Sequence, residues 1–202
     1  EVPTYTDVSI PLGSQPRGMD HIIEDDTTIV ATVKELAVVI GTSKQSSLPL
    51  SYEPTCVSID TKSRHVAVGG ADNKVHMYTL DVRTLTPGVT LDHLGPVTDV
   101  SFSPDSKYLV ASDANRKLIL YSTDEYKLAH NKEWGFHTAR VNCVAWSPDS
   151  TRIASGSLDT CIIIWSVDAP NKHTIIKSKF FFVSLCTSYS CAVPPAARFL
   201  YP

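Results

Sequence analysis

Apolar and polar residues alternate along several short stretches of the chain, and turn residues separate these stretches at regular intervals. The clearest example is 141–146, where successive side chains fall on opposite faces of a strand, followed by a Ser-Pro-Asp-Ser turn at 147–150. Further strands are predicted at 152–156 and 161–165, with a Leu-Asp-Thr turn between them. Residues 137–165 therefore predict a small antiparallel sheet with tight hairpins.

This pattern occurs three times at a nearly constant spacing. Three valines stand 43 and 44 residues apart; each lies 15 residues before a turn residue, which lies 6 residues before an aromatic residue. The valines are Val57, Val100 and Val144, the turn residues Asp72, Asn115 and Asp159, and the aromatic residues Tyr78, Tyr121 and Trp165. A period of roughly 40–45 residues resembles that of WD40 repeats, each of which is a four-stranded blade of a β-propeller. We therefore expect an all-β fold, a partial WD40 propeller of about four blades with an aberrant C-terminal tail.

The repeat pattern also predicts how the chain is divided. The four predicted blades span about 17–50, 52–91, 93–131 and 137–177. The repeat domain is thus predicted to cover 1–177, whereas 178–202 lack the period and contain a Pro-Pro pair that prevents a regular strand, so we expect a poorly ordered tail. Because a blade buries its faces only against neighbouring blades, the open ends should expose apolar surface, which predicts self-association through them.

The composition and net charge of the chain argue against several classes of partner and cofactor. The formal charge of −3 and the isoelectric point near 6.2, without a run of basic residues, give no reason to expect binding to nucleic acid or to an anionic membrane. The longest uncharged apolar stretch, 180–193, is too short and too polar to span a bilayer. The five cysteines form no Cys-x-x-Cys pair and no metal-ligand spacing is present, so we expect no metal, no cofactor and a reducing, cytoplasmic compartment.

One group of residues is of the types found in a catalytic triad. His137, Ser155 and Asp159 could suggest a serine hydrolase, but the chain has no Gly-x-Ser-x-Gly motif and no obvious oxyanion loop. In WD40 repeats these places form a buried hydrogen-bonded chain with a tryptophan, here Trp165, so the resemblance implies a structural network and no catalytic residue. The corresponding residues upstream are Ala111, Asn115 and Tyr121 with His93, and Val68, Asp72 and Tyr78. We therefore expect a network that weakens from blade to blade, which suits a structural role.

Several longer motifs narrow the resemblance further. They are Tyr-Glu-Pro at 52–54, Val-Ala-Val-Gly-Gly-Ala-Asp at 66–72, Gly-Pro-Val-Thr-Asp-Val at 95–100, Cys-Val-Ala-Trp-Ser-Pro-Asp at 143–149 and Ser-Gly-Ser-Leu-Asp at 155–159. Together they resemble the second propeller of the actin-interacting protein 1 family, also called WD repeat-containing protein 1, over 1–177. The resemblance implies a cytoplasmic, cytoskeletal protein without enzymatic activity, which binds actin filaments decorated with cofilin and promotes their disassembly.

The chain departs from that family pattern in two ways, and these leave alternatives open. We expect that this chain lacks the family's first propeller and that the tail replaces the family's last blade, so no partner-binding residue is carried over. The chain could instead be a generic WD40 protein-interaction scaffold without actin activity, or an inactive truncated isoform. For a scaffold the candidate residues are Arg116, Lys117 and Arg140, which are predicted near blade rims, although such residues are more often solvated charges. The hypothesis that the chain is a hydrolase is supported only by the triad-like residues His137, Ser155 and Asp159.

Overall fold

The computed structural model describes residues 9–130 and 133–177, and within these ranges every regular element is a β-strand. The strands form four antiparallel sheets, in which neighbours in the sequence are neighbours in the sheet. The predicted all-β fold, a partial propeller of about four blades, is confirmed. The predicted tail at 178–202 lies outside the described residues, so the division of the chain at residue 177 stays a prediction.

Three of the sheets have four strands, and the third along the chain has three. Blade 1 contains β1 (Pro16–Ile22), β2 (Thr27–Thr32), β3 (Glu35–Ile40) and β4 (Ser43–Pro49). Blade 2 contains β5 (Pro54–Asp60), β6 (His65–Gly70), β7 (Lys74–Asp81) and β8 (Thr84–Asp92). Blade 3 contains β9 (Val97–Phe102), β10 (Tyr108–Asp113) and β11 (Leu118–Ser122). Blade 4 contains β12 (Val141–Trp146), β13 (Arg152–Ser157), β14 (Cys161–Ser166) and β15 (His173–Lys177).

The Ser-Pro-Asp-Ser turn joins β12 to β13 through its own side chains. The Ser147 hydroxyl donates to Asp149 Oδ1 at 2.5 Å, and the backbone N–H of Thr151 donates to the same oxygen at 3.1 Å. These two donors lower the pKa of Asp149 to about 2. Ser150 adopts a left-handed backbone with φ of 58°, which short polar residues tolerate in tight turns. The turn is therefore closed by local hydrogen bonds as well as by strand pairing.

Apolar side chains between consecutive blades hold the arc together. The inner strands β1, β5, β9 and β12 pack one after another, and three buried apolar clusters fill the spaces between the blades. Between blades 3 and 4, Leu118 and Leu120 share a cluster with Ile163 and Trp165. Burying one such aliphatic side chain contributes roughly 1.5–3 kcal/mol. These clusters are therefore the main source of stability for sheets that cannot cover their own faces.

Residues 127–131, at the end of the predicted third blade, are expected from the sequence to form its fourth strand, but over the described part of this range that prediction is wrong. Leu128 makes an isolated bridge with Tyr121, and Trp134 makes another with Leu118. Leu128 and Trp134 are six positions apart in the sequence, whereas their partners Tyr121 and Leu118 are three positions apart. Trp134 keeps its place because its ring is buried in the cluster between blades 3 and 4.

Two aspartates on inner strands connect neighbouring blades. Asp20 Oδ2 accepts a hydrogen bond from the backbone N–H of Ile59 at 2.7 Å, and Asp99 Oδ2 accepts one from Val144 at 2.8 Å. Each carboxylate thus ties its own strand to the inner strand of the next blade. Burial raises the pKa of Asp99 to about 7, although its backbone donors oppose this effect, and burial also raises the pKa of Asp20.

Replacing Asp99 with Asn should make the free energy of unfolding less dependent on pH between about 4 and 7. The pKa of Asp99 in the folded chain lies above its unfolded value of about 3.9, so its contribution to stability is present at low pH and is lost as pH rises to about 7. The Asn amide keeps an acceptor for Val144 but does not titrate. Urea unfolding of both proteins at several pH values in this window measures the difference.

Asp149→Asn is the control for this comparison. The pKa of Asp149 is lowered to about 2, so the stability that it contributes is lost only as pH falls below about 4. This variant should therefore keep the wild-type slope between about pH 4 and 7. An unchanged slope in Asp99→Asn would contradict the role assigned to burial of this carboxylate.

Candidate functional site

Four side chains of blade 4 are connected in one chain of hydrogen bonds. Trp165 Nε1 lies 2.8 Å from Ser155 Oγ, and the same oxygen lies 2.8 Å from His137 Nε2. The other ring nitrogen of the histidine, Nδ1, lies 2.9 Å from Asp159 Oδ2. The structure thus brings together all four residues that the sequence singled out.

Strand register and loop position explain why these side chains meet. Ser155 in β13 pairs with Ile163 in β14, and Trp165 lies two positions further along β14. Because side chains alternate along a strand, those of Ser155 and Trp165 point to the same face, toward blade 3. His137 precedes β12, and Asp159 lies in the turn between β13 and β14, so both reach this face from the same rim.

The hydrogen-bond partners indicate where the protons lie. The indole N–H of Trp165 can only donate, so Ser155 Oγ accepts from it. The serine hydroxyl can then donate to His137 Nε2, and His137 Nδ1–H can donate to Asp159. We assign this tautomer from the network. In this arrangement every polar atom along the chain has a partner and every donor points from the tryptophan toward the carboxylate.

Asp159 also holds two loops in place. It accepts hydrogen bonds from the backbone N–H groups of Thr138, at 2.9 Å, and Cys161, at 3.0 Å. Burial by itself would raise the pKa of Asp159, but these donors and His137 lower it below the usual value. The carboxylate is therefore ionised near neutral pH, and it fastens the loop before β12 to the turn between β13 and β14.

The connectivity of Ser155, His137 and Asp159 is that of a serine hydrolase triad, but its surroundings differ. Ser155 is only 1% exposed and His137 only 2%. The serine oxygen that would attack a substrate already accepts the indole N–H of Trp165. A substrate carbonyl would have to enter the packed boundary between two blades. The geometry therefore favours a structural role, in which the network satisfies polar groups that blade packing buries.

Blade 3 has a related set built from different residues. His93 Nε2 lies 3.2 Å from the Tyr121 hydroxyl, and His93 Nδ1 lies 3.6 Å from Asp113 Oδ2, with the His93 and Asp113 side chains fully buried. Asn115, which the sequence placed at the acid position, instead donates to the Leu94 carbonyl at 2.6 Å. Burial also raises the pKa of Tyr121. Sequence reasoning missed Asp113, whose signal was an acidic residue at the end of a strand that contains the apolar run Leu-Val-Ala.

Blade 2 uses aromatic rings at the same rim. The ring of Tyr52 stacks on that of His76 at a centroid distance of 3.7 Å, and its hydroxyl lies 2.8 Å from that of Tyr78. His76 Nε2 lies 2.9 Å from Asp72 Oδ2. The residues that the sequence comparison placed in blades 2 and 3 do not repeat the hydrogen-bonded chain of blade 4. Each of these two blades has instead a set of polar contacts made by other residues.

The three basic candidates for partner binding lie on the rim where the inner strands begin. Arg116 and Lys117 lie in the turn between β10 and β11, and Arg140 lies in the loop before β12. Lys117 Nζ is 3.3 Å from Glu133 Oε2. The side chains of Arg116 and Arg140 are exposed, and within 9–130 and 133–177 they have neither an ion pair nor a hydrogen bond. Their charges are thus available to a partner.

The search for a metal site, a membrane-spanning helix and a ligand cavity indicates no further function in the described residues. The described residues contain no cluster of three or more histidine, cysteine, aspartate or glutamate side chains that could hold a metal ion. In the same part of the chain, no helix is long and apolar enough to cross a membrane. A cavity of about 430 Å³ lies between the inner strands and is lined in part by Asp20 and Asp99. Both of these carboxylates already serve contacts between blades.

Comparison with known proteins shows which family shares these features. A family model described as "WD domain, G-beta repeat" matches residues 85–122 and 130–166. The chain is 57% identical over 175 residues to actin-interacting protein 1 of Drosophila melanogaster, covering 87% of this chain and 29% of that protein. It is 41% identical over 170 residues to actin-interacting protein 1 of Caenorhabditis elegans, covering 84% of this chain and 28% of that protein.

A third similar protein carries the other family name. The chain is 34% identical over 145 residues to WD repeat-containing protein 1 of Gallus gallus, covering 71% of this chain and 24% of that protein. The chain thus spans less than a third of the length of the relatives that it matches.

Replacing Ser155 with Ala should lower the free energy of unfolding by about 1–3 kcal/mol, because it leaves two buried groups, the indole N–H of Trp165 and His137 Nε2, without their shared partner. Urea unfolding measures the loss. A double-mutant cycle with Trp165→Phe provides a sharper test. Both substitutions remove the same hydrogen bond, so their combined effect should be smaller than the sum of the single effects.

Ser166→Ala is the control for this experiment, because Ser166 lies at the end of β14 outside the network. It should change stability by no more than about 0.5 kcal/mol. Strictly additive effects of Ser155→Ala and Trp165→Phe would contradict the network. Covalent labelling of Ser155 by a serine-directed fluorophosphonate would contradict the structural role.

Proposed function

The chain is a WD40-repeat protein homologous to actin-interacting protein 1, as its motifs predicted, and we propose that it is an actin-cytoskeleton binding protein. It binds actin filaments decorated with cofilin and promotes their disassembly in the cytoplasm. It does so by binding and not by enzymatic chemistry, and it requires no cofactor, nucleic acid or membrane.

The observation that carries this proposal is the identity of 57% over 175 residues with a protein named for its interaction with actin. The match covers 87% of the chain, so it extends well beyond the short motifs that many repeats of this type share. Similarity of fold alone would say little about a partner. Identity at this level over several consecutive blades supports a common function.

The geometry of blade 4 supports binding over catalysis. The triad-like residues lie within the boundary between blades, where Ser155 is in contact with Trp165 and has no open side. The strand-connecting loops, by contrast, are exposed and are held by hydrogen bonds such as those to Asp159. Loops on a rigid scaffold are where binding residues are concentrated.

A second candidate function is a general protein-interaction scaffold without actin activity, and the exposed rim residues favour it. Leu94, Phe136 and Leu158 are large, apolar and exposed beside the unpaired Arg116 and Arg140. Such a surface fits a protein partner of any identity. An inactive form of the protein is the remaining alternative, and one experiment separates the proposed function from both alternatives.

We expect the chain to sediment with actin filaments, and to do so more strongly when the filaments are saturated with cofilin. The fraction bound is measured at constant filament concentration with increasing cofilin, and the actin left in the pellet reports disassembly. A parallel spin without filaments corrects for aggregation of the chain. Binding without loss of pelleted actin would support filament binding but contradict disassembly. Absence of binding to either kind of filament would contradict the proposal and leave the general scaffold and the inactive form.

We also infer self-association through the open face of blade 4. Ile162 and Ile176 pair across β14 and β15 and are 41% and 39% exposed. The residue of blade 3 that lies one repeat before Ile162 is Leu118, which is almost fully buried against blade 4. Blade 4 therefore presents an apolar face of the kind that a neighbouring blade covers, and a second copy of the chain can cover it.

Changing both isoleucines to lysine, in Ile162→Lys/Ile176→Lys, should abolish self-association, because charges are costly to bury. Light scattering during size-exclusion chromatography over a concentration series measures the mass. The control is Ile23→Lys, at an exposed turn of blade 1 away from this face, and it should behave as the wild type. A wild-type chain that is monomeric at every concentration would contradict the inference.

A further inference from the structure

Blade 4 is open on one side, and the burial of its strands shows this residue by residue. Alternate positions of β12, β13 and β14, such as Val144, Ile153 and Ile163, are buried against blade 3. The positions between them face the other way, and none of them is buried. We define the open face by the residues that pair in two rows across the blade: Cys143, Ala145, Ala154, Gly156, Ile162, Ile164 and Ile176.

The open face is less polar than the corresponding face of blade 3, which is covered. On the side that packs against blade 4, the inner two strands of blade 3 carry three polar side chains, Asp99, Ser101 and Ser112. One repeat later, blade 4 has Cys143, Ala145 and Gly156 at these positions. A carboxylate and two hydroxyl groups are thus replaced by a thiol, a methyl group and a hydrogen atom. A face of this composition favours contact with protein over contact with water.

Small and large residues are segregated on the open face. Its part on β12 and β13 consists of cysteine, alanine and glycine, whereas β14 and β15 contribute isoleucines. The strand register places Gly156 beside Ile162 and Ala154 beside Ile164. A hollow two strands wide therefore lies next to an isoleucine ridge, with neighbouring strands about 4.8 Å apart. The one charged side chain on this side of β12–β15, Arg152, is exposed at the end of β13, where it can stay in water.

This relief is complementary to itself. A two-fold axis that runs parallel to the strands, over the boundary between β13 and β14, turns the face of one copy onto the face of another. The ridge that contains Ile162 and Ile164 then lies over the hollow at Ala154 and Gly156 of the other copy, and the reverse contact is made at the same time. Such a contact uses the same patch on both copies, as two-fold interfaces do.

Blade 1, at the other end of the arc, offers no equivalent face. Its side toward blade 2 belongs to an apolar cluster, and the alternate positions on its central strands are covered as well. Val30, Ala37 and Val39 are 7%, 0% and 5% exposed, although Met19 on the inner strand is 43% exposed. Among the four described blades, only blade 4 therefore has central strands that are open to solvent along one side. A head-to-tail contact from blade 4 to blade 1 is disfavoured, because the blade 1 side is already buried.

We propose that the chain forms a closed dimer with two-fold symmetry, in which the open face of blade 4 packs against the same face of a second copy. This inference rests on the self-association proposed above and names the surface that the second copy contributes. A two-fold contact occupies the same face of both copies, so the assembly ends at two chains. A head-to-tail contact would use two different faces and would either close into a ring or continue as a filament.

The test places opposite charges on the same face of the full chain. Ile162→Glu/Ile176→Glu is the acidic counterpart of Ile162→Lys/Ile176→Lys, and each variant alone should be monomeric because like charges would face each other in the dimer. Light scattering during size-exclusion chromatography measures the mass of each variant and of their equimolar mixture, at low and at high salt. Urea unfolding midpoints establish that both variants are folded. The control is the mixture of Ile23→Lys with Ile23→Glu, changed in the exposed turn of blade 1, which should behave as the wild type.

We expect the mixture to reach twice the chain mass at low salt, with a dissociation constant at least about tenfold below that of either variant alone. High salt should reverse this recovery, because it screens the attraction between the faces. Lysine and glutamate faces meet only if the face of blade 4 contacts itself. A mixture that is as monomeric as its components overturns the two-fold contact, and so does a wild-type mass that exceeds two chains.

A second measurement does not depend on attraction between charges. The lysine variant carries a fluorescent label and is mixed with wild-type chain at a concentration where the wild type associates. In a two-fold dimer the altered face cannot pair, so the labelled chain should migrate as a monomer. In a head-to-tail contact its unchanged blade 1 would still receive a wild-type chain, so comigration overturns the two-fold contact and leaves self-association standing. A wild type that is monomeric at every concentration overturns both, and none of these outcomes changes the proposed binding to filaments.

Discussion

Each blade has two apolar faces and can bury them only against its neighbours, and the other features of the structure depend on this constraint. Trp165 is fully buried because blade 3 covers it, and Asp99 reaches the backbone of Val144 across the same boundary. Polar groups at such a boundary are withdrawn from water and must find partners within the protein. The hydrogen-bonded set of blade 4 is therefore a consequence of blade packing. In blade 3 the requirement is met only in part, because His93 Nδ1 and Asp113 Oδ2 are buried 3.6 Å apart without a hydrogen bond, and in blade 2 the Asp72 side chain that contacts His76 is 35% exposed.

Burial also decides what the triad-like residues can do. In a hydrolase the serine hydroxyl faces a substrate, whereas the hydroxyl of Ser155 faces the indole of Trp165. In a hydrolase triad an ionised aspartate orients the histidine, and Asp159 orients His137 in the same way. Here Asp159 also accepts hydrogen bonds from the backbone N–H groups of Thr138 and Cys161. The hydrogen-bonded chain thus connects the packed interior of blade 4 to the loops at its rim. The exposure of the serine and histidine side chains to solvent, and not their residue types, distinguishes a catalytic triad from this structural network.

Much of the fold could be predicted because the repeat spacing is set by geometry that the sequence shows directly. The spacing of Val57, Val100 and Val144 reports inner strands that must recur at one position in each blade. The interruption near Trp134 could not be predicted in this way, because it depends on the burial of one ring between two blades. The role of Asp113 was missed for a similar reason. Comparison by position led to Asn115, whereas the structure supplies the acid from the end of β10.

The repeated sequence motifs identify the protein family more readily than they identify a binding surface. Residues such as Asp149 and Asp159 occur at repeated positions because every blade needs a closed turn and a satisfied boundary. They are used by the framework, so they carry little information about a partner. The residues left for recognition are those that the framework does not use, and Phe136 and Arg140 are of this kind. Their exposure depends on the path of the loops after folding, which hydrophobicity and charge along the chain do not show.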